Sequence, residues 1–232
     1  MSFVIPVAPP ASVPVHGVEG ARFAVHRIYC VGRNYVEHAV EMGYSGREPP
    51  FFFMKPADAV LPVREGTVGE MHYPSLTRDL HHEVELVVAI GKGGRDIAAK
   101  DALSHVWGYA VGLDMTRRDL QGAMKKQGRP WCIGKAFEES APIGELRPAA
   151  QCRIDAETEL RLDVNCQPRQ ASRIGKLIWS IPEIIEHLST AWTLAPGDLI
   201  YTGTPEGVAA VVRGDTLSAG VEGVGSLQLK IV

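Results

Sequence analysis

No apolar run in this 232-residue chain reaches the roughly 18–20 residues that a membrane-spanning helix requires. There is also no CxxC pair. Cys30, Cys132, Cys152 and Cys166 lie far apart, which argues against a structural zinc site and a small disulfide scaffold and reads as reduced thiols. Basic residues are not in excess: 24 Lys and Arg stand against 27 Asp and Glu, for a formal charge of −3. No global field draws in nucleic acid or anionic lipid, so a small molecule is the expected partner. Nucleophile and phosphate motifs are missing, with no G-x-S-x-G, no P-loop and no G-x-G-x-x-G opening a helix. His-Glu-x-x-His is absent as well, because Leu86 stands where the second histidine would be. Residues 1–14 carry Pro6, Pro9, Pro10 and Pro14 and no basic segment, so they read as an arm and not a signal peptide, and a cytoplasmic protein is expected.

What is present is enough apolar content, 45%, to bury one core. The division expected is a proline-rich arm over residues 1–24 and one domain over residues 25–232. Residues 28–31 read as a short strand ending at Gly32, and residues 34–42 as a brief helix closed by Gly43. Residues 51–54 and 84–90 read as buried strands, with residues 64–82 mostly loop between them. A short helix over 100–105 leads to a strand over 106–113 that delivers Asp114 at its end. Ser180 and Glu183 have the spacing of a capping box that opens an apolar helix. In the tail, Leu227, Leu229 and Ile231 alternate with polar residues as in a half-exposed strand. Strands outnumber helices, and 24 glycines and 16 prolines punctuate them, so a β-rich α+β domain with short helices at its edges is expected.

Glu83 and Glu85 stand two apart on a strand and therefore face the same side, where two carboxylates repel unless a cation neutralises them. With Asp114 at another strand end, an all-oxygen set suits Mg²⁺, Mn²⁺ or Ca²⁺. Taken alone, such an acidic pair more often marks a solvated strand face. His81 and His82 precede it as neighbours of the carboxylates or as simple loop residues. His38 and Glu41 are three apart on the expected helix, a spacing at which a carboxylate orients an imidazole as a general base, although an exposed pair has the same spacing. Arg118 and Gln121 repeat that spacing after Asp114 with donors for a carboxylate or keto oxygen. Lys135 follows an apolar approach, Trp131 to Gly134, that can desolvate an ammonium and aim it at developing negative charge. Thr204, in the loop Gly203-Thr204-Pro205, offers a hydroxyl, and Arg33, Tyr35 and Lys55 lie near expected strand ends where they can bind acidic groups.

In chain order, six blocks resemble the fumarylacetoacetate hydrolase superfamily. They are residues 31–35 with His38 and Glu41, residues 53–56, residues 82–86, residues 113–116, Lys135, and residues 202–208. The similarity runs from about residue 26 to the C-terminus. It implies a mixed β-roll with short peripheral helices, usually homodimeric, with Mg²⁺ or Mn²⁺ held at Glu83, Glu85 and Asp114. It further implies His38, Glu41 and Lys135 as catalytic and Arg33, Tyr35, Lys55, Arg118, Gln121 and Thr204 as substrate-binding. Within that superfamily the chain looks like the acylpyruvate hydrolases, above all the bacterial fumarylpyruvate hydrolases of gentisate catabolism. The expected activity is metal-dependent cleavage of a carbon–carbon bond in a 2-oxo acid. Oxaloacetate decarboxylation and isomerisation or hydration of an unsaturated 2-oxo diacid are the alternatives. Arg173 and Lys176 add positive charge that would suit a distal carboxylate on the substrate.

Overall fold

The computed structural model describes residues 3–35 and 47–232. The expected general base His38 and its partner Glu41, with most of the helix expected over 34–42, lie outside the described residues. The first two positions of that helix are described and are not helical. Asn34 is irregular, and Tyr35 forms an isolated antiparallel bridge with Leu177.

Among the described residues there are four sheets, one of them the two-stranded pair Ser12–Pro14 and Arg22–Ala24. The largest has eight strands. In spatial order it runs Phe51–Lys55, Ile28–Gly32, Leu199–Tyr201, Val84–Ile90, Val106–Leu113, Ala141–Ile143 and Val60–Pro62, and Arg147–Pro148 also pairs with Val106–Leu113. Two of its pairings are parallel and the rest antiparallel, so the sheet is mixed. A five-stranded sheet runs Gln167–Arg173, Glu159–Val164, Thr216–Val221, Gly225–Ile231 and Val68–Met71. A small ribbon of Thr116–Arg117, Leu80–His81 and Ala210–Val211 completes the set.

The strand Val84–Ile90 explains this architecture. All seven residues are buried, so the strand has a core on each face. Val84, Leu86, Val88 and Ile90 enter the larger apolar cluster, and Val87 and Ala89 enter a second one with Ile28, Cys30, Leu199 and Tyr201. Glu85 therefore sits on the same face as Val87 and Ala89, a carboxylate in an apolar layer.

Several expectations need correction. Residues 64–82 contain the strands Val68–Met71 and Leu80–His81. Val68–Met71 is an edge strand with only Met71 buried, which is why it shows no apolar pattern. Phe51–Lys55 is an edge strand whose Phe51, Phe52, Phe53 and Met54 are half-buried, not buried. The helix over Ile181–Ala191 forms as expected, with Ser180 and Glu183 closing the capping box and Pro182 in its first turn. Within the expected arm, Ser12–Pro14 pairs with Arg22–Ala24 and Val13 is fully buried in the second cluster. No helix among the described residues is long and apolar enough to cross a membrane.

Candidate active site

Antiparallel pairing of Val84 with Leu113 brings the residues just beyond each strand end together, and Asp114 N–H donates to the Glu83 carbonyl at 2.8 Å. Glu83, Glu85 and Asp114 consequently offer carboxylate oxygens that all lie within 4.8 Å of one another, and all three residues are buried. Such a cluster exists only with compensation. Lys135 Nζ lies 2.8 Å from Glu83 Oε2 and 2.6 Å from Asp114 Oδ2, Lys55 Nζ lies 2.9 Å from Asp114 Oδ1, and Arg118 donates to Glu83 Oε1. Burial works against the Lys135 ammonium, but Asp114 and Glu83 outweigh it and leave its pKa raised. Glu85 makes no ion pair with a described residue, and Lys135 acts on it only weakly. Burial, with Asp114 and Glu83 beside it, pushes its carboxyl well above the usual carboxylate range, and the Gly203 N–H, donating at 2.7 Å to Glu85 Oε2, only partly offsets this. Three buried, mutually repelling oxygen ligands are a donor set suited to a hard divalent cation such as Mg²⁺ or Mn²⁺. A second cluster, His16, Glu65 and Glu145, is half-exposed and already carries Arg147 at 3.8 Å from Glu65.

The carboxylates form the floor of a cavity of about 30 Å³, room for roughly one water. Its walls include Arg33, Arg118, Gln121, Lys135 and Thr204, together with Phe53 and Trp131. Lys135 is delivered by the single turn Cys132–Lys135, which packs against the helix Arg118–Lys126 so closely that a Cβ on Gly134 would stand 2.8 Å from the Gln121 amide nitrogen. Arg118 donates to Gln121 Oε1 at 2.6 Å, so the Gln121 NH₂ is the group left for a ligand oxygen.

Lys55 and Tyr35 do not line that cavity. The Lys55 ammonium donates to the carbonyls of Met115 and Lys135 besides pairing with Asp114, so it holds the ligand carboxylate and not a substrate. Tyr35 is completely buried. The Thr204 hydroxyl lines the cavity but donates to the Val84 carbonyl at 2.9 Å and accepts from Gln170 Nε2 at 2.8 Å, and the Gly203 amide serves Glu85, so this loop braces the carboxylates instead of offering a free oxyanion cradle. Neither histidine before Glu83 touches a carboxylate of the cluster. His81 binds Asp79, and His82, whose pKa burial lowers against the pull of Gln170, donates from Nδ1 to Gln170 Oε1 at 2.9 Å. Arg173 pairs with Glu157 and lies 3.9 Å from Glu159, and neither it nor Lys176 lines the cavity. The Arg173 charge is neutralised locally.

Two organising residues escape sequence reading. Gln170 accepts from Val84 N–H and His82 and donates to Thr204 and the Pro205 carbonyl, fastening the strand that carries Glu83 and Glu85 to the 203–205 loop. Asn34 clamps the chain after Gly32 to Trp179 and Thr202 through three hydrogen bonds. It sits so near Gly203, itself at φ +102°, that a Cβ there would lie 2.7 Å from the Asn34 Cβ. Replacing Gln170 with leucine leaves four buried polar groups without their partner. The expected result is a loss of about 2–4 kcal/mol in thermal or denaturant unfolding and roughly tenfold weaker Mn²⁺ binding in a titration.

The model of the fumarylacetoacetate (FAA) hydrolase C-terminal family matches residues 27–232. The chain belongs to the fumarylacetoacetate hydrolase family. Among solved structures, the fumarylpyruvate hydrolase from Pseudomonas aeruginosa in complex with Mn²⁺ and pyruvate is 53% identical, with a TM-score of 0.97, covering 100% of this chain and 99% of that one. Among curated family members, the mitochondrial oxaloacetate tautomerase FAHD1 of Rattus norvegicus is 43% identical over 204 residues, 88% of this chain and 90% of the relative. The mitochondrial oxaloacetate decarboxylase of Dictyostelium discoideum is 40% identical over 198 residues, 85% and 89% of the two chains.

Proposed function

We propose that the protein is a divalent-metal-dependent acylpyruvate hydrolase that cleaves fumarylpyruvate to fumarate and pyruvate. The observation that carries this reading is the cavity whose floor is the buried Glu83, Glu85 and Asp114 cluster and whose walls hold Lys135, Arg118 and Gln121. Near-identity of fold with a fumarylpyruvate hydrolase solved with Mn²⁺ and pyruvate supports it. Held by the three carboxylates, Mg²⁺ or Mn²⁺ supplies Lewis acidity and orientation for a 2-oxo acid. Arg118 and Gln121 bind oxygens of the pyruvoyl end. His38, oriented by Glu41, takes a proton from water, and the resulting hydroxide adds to the distal acyl carbonyl. Lys135 stabilises the oxyanion of that tetrahedral adduct from a water-poor position where an ammonium acts strongly. Cleavage of the carbon–carbon bond leaves the electron pair on the pyruvate fragment as its enolate, which takes up a proton to become pyruvate. The water oxygen stays in fumarate. A cytoplasmic homodimer with a 2-oxo acid as its partner is part of the same proposal.

The curated relatives named for oxaloacetate favour a second reading, oxaloacetate tautomerisation or decarboxylation at the same carboxylates. Neither reaction needs an activated water. Under the hydrolase reading, Mn²⁺-loaded protein consumes fumarylpyruvate with equal release of pyruvate and fumarate, chelator stops it, and His38→Ala lowers the rate about 100-fold or more while Mn²⁺ still binds. Turnover of oxaloacetate alone, unaffected by His38→Ala, would replace hydrolysis with the second reading.

A further inference from the structure

Beside the carboxylate cavity lies a larger one of about 470 Å³, within the range of ordinary small-molecule sites. The two share Arg33, Phe53, Trp131 and Lys135 as walls, so a ligand seated over the carboxylates continues directly into the second space. That space is lined by aromatic rings. Phe51 meets Trp131 edge-on at 5.3 Å between ring centroids, and Phe53 lies 5.9 Å from the same indole. Arg129, at the turn after the helix Arg118–Lys126, and Cys132 line this space and not the carboxylate cavity. The cations nearer the metal ligands are engaged: Lys135 with Glu83 and Asp114, Arg118 with Glu83, and Arg33 with its guanidinium 5.1 Å over the Phe51 ring. Arg129 is exposed and makes no ion pair with a described residue.

We propose that this aromatic cavity is the acyl-chain subsite, taking a planar conjugated chain against Phe51, Phe53 and Trp131, and that Arg129 selects substrates ending in a distal carboxylate. The proposal rests on the acylpyruvate reading of the adjoining site. Aromatic rings on the walls suit an extended unsaturated chain, and a guanidinium that lines only this second space gives a terminal carboxylate a charge-assisted, two-point partner. Oxaloacetate, whose second carboxylate follows one methylene after the keto carbon, has no acyl chain with which to fill a space of this volume. The volume beyond Phe53 and Trp131 is therefore explained by a longer acyl group.

Two measurements on the Mn²⁺-loaded protein test this. In the first, kcat/KM is compared for fumarylpyruvate and for acetylpyruvate, which lacks the distal carboxylate. Arg129→Ala is expected to lower the ratio of the two by about 10–100-fold, with Arg129→Lys retaining part of the preference. In the second, N-ethylmaleimide labelling of Cys132 is followed by mass spectrometry of its peptide. Fumarate is expected to slow labelling in the parent and not in Arg129→Ala. Hydrolysis of fumarylpyruvate with a preference untouched by Arg129→Ala, and no protection of Cys132, would overturn the subsite while leaving the hydrolase intact. If instead neither acylpyruvate is cleaved but fumarate protects Cys132 in an Arg129-dependent manner, the subsite stands and the reaction assigned to it falls.

Discussion

Replacing Glu85 with glutamine yields a protein whose metal-free form unfolds at the parent's temperature or about 2–4 °C above it. The same substitution weakens Mn²⁺ binding at least about 100-fold and removes hydrolysis by on the order of 10³-fold. The opposite signs follow from the position of this side chain. Glu85 is 2% exposed, with Glu83 and Asp114 beside it, and makes no ion pair with a described residue. Glutamine keeps the shape and still accepts from the Gly203 amide, but carries no charge to desolvate. The pH dependence has a definite sign. A carboxyl whose titration point is raised on folding contributes most below its unfolded value and loses that contribution as pH rises through the folded one. The metal-free parent should therefore lose stability relative to Glu85→Gln on going from acid toward neutral pH, while its Mn²⁺ affinity rises over the same interval as the proton leaves. Calorimetry and metal titration over a pH series from acid to alkaline check both. A clear drop in metal-free stability with Mn²⁺ affinity unchanged would contradict the assignment.

Lys135→Met is expected to separate metal-free from metal-loaded protein even more sharply. Without the ammonium, Glu83 and Asp114 keep Arg118 and Lys55 but lose the cation lying between them, at a cost of about 3–5 kcal/mol in the chelated protein. With Mn²⁺ bound, another positive charge occupies the cluster and most of that loss disappears. Thermal unfolding with chelator and with Mn²⁺ measures the difference, and Mn²⁺ should stabilise the variant more than the parent. The kcat falls about 10²–10³-fold with KM little changed, because the ammonium is required where charge develops in the transition state. Equal destabilisation with and without Mn²⁺, at an unchanged rate, would show that Lys135 is structural only.

The parts of this site that could be read in the sequence are those fixed by local geometry. Strand alternation placed Glu83 and Glu85 on one face, and the apolar residues before Lys135 foretold its burial, observed at 1% exposure. The capping box and the alternating tail were legible for the same reason, since each pattern is contained within one element. What escaped depends on contacts between distant segments. Gln170 reaches across 88 positions to His82, in a strand that otherwise looks polar and exposed. Lys55 has the composition of a substrate-binding cation, and only the pairing of Ile28–Gly32 with Phe51–Lys55 in the sheet turns it toward Asp114. Arg173 looked like spare charge until the neighbouring Glu157 claimed it. Val68–Met71 remained hidden because an edge strand with one buried residue has no period to detect.

The central claim is that an activated water cleaves an acylpyruvate over the Glu83, Glu85 and Asp114 cluster. Its most direct test is the reaction of fumarylpyruvate with the Mn²⁺-loaded protein in ¹⁸O-labelled water, with the released fumarate analysed by mass spectrometry. Hydrolysis predicts one ¹⁸O atom in each fumarate, formed in equal amount to pyruvate and abolished by chelator. Unlabelled fumarate, or no fumarate while oxaloacetate is consumed, would contradict the account.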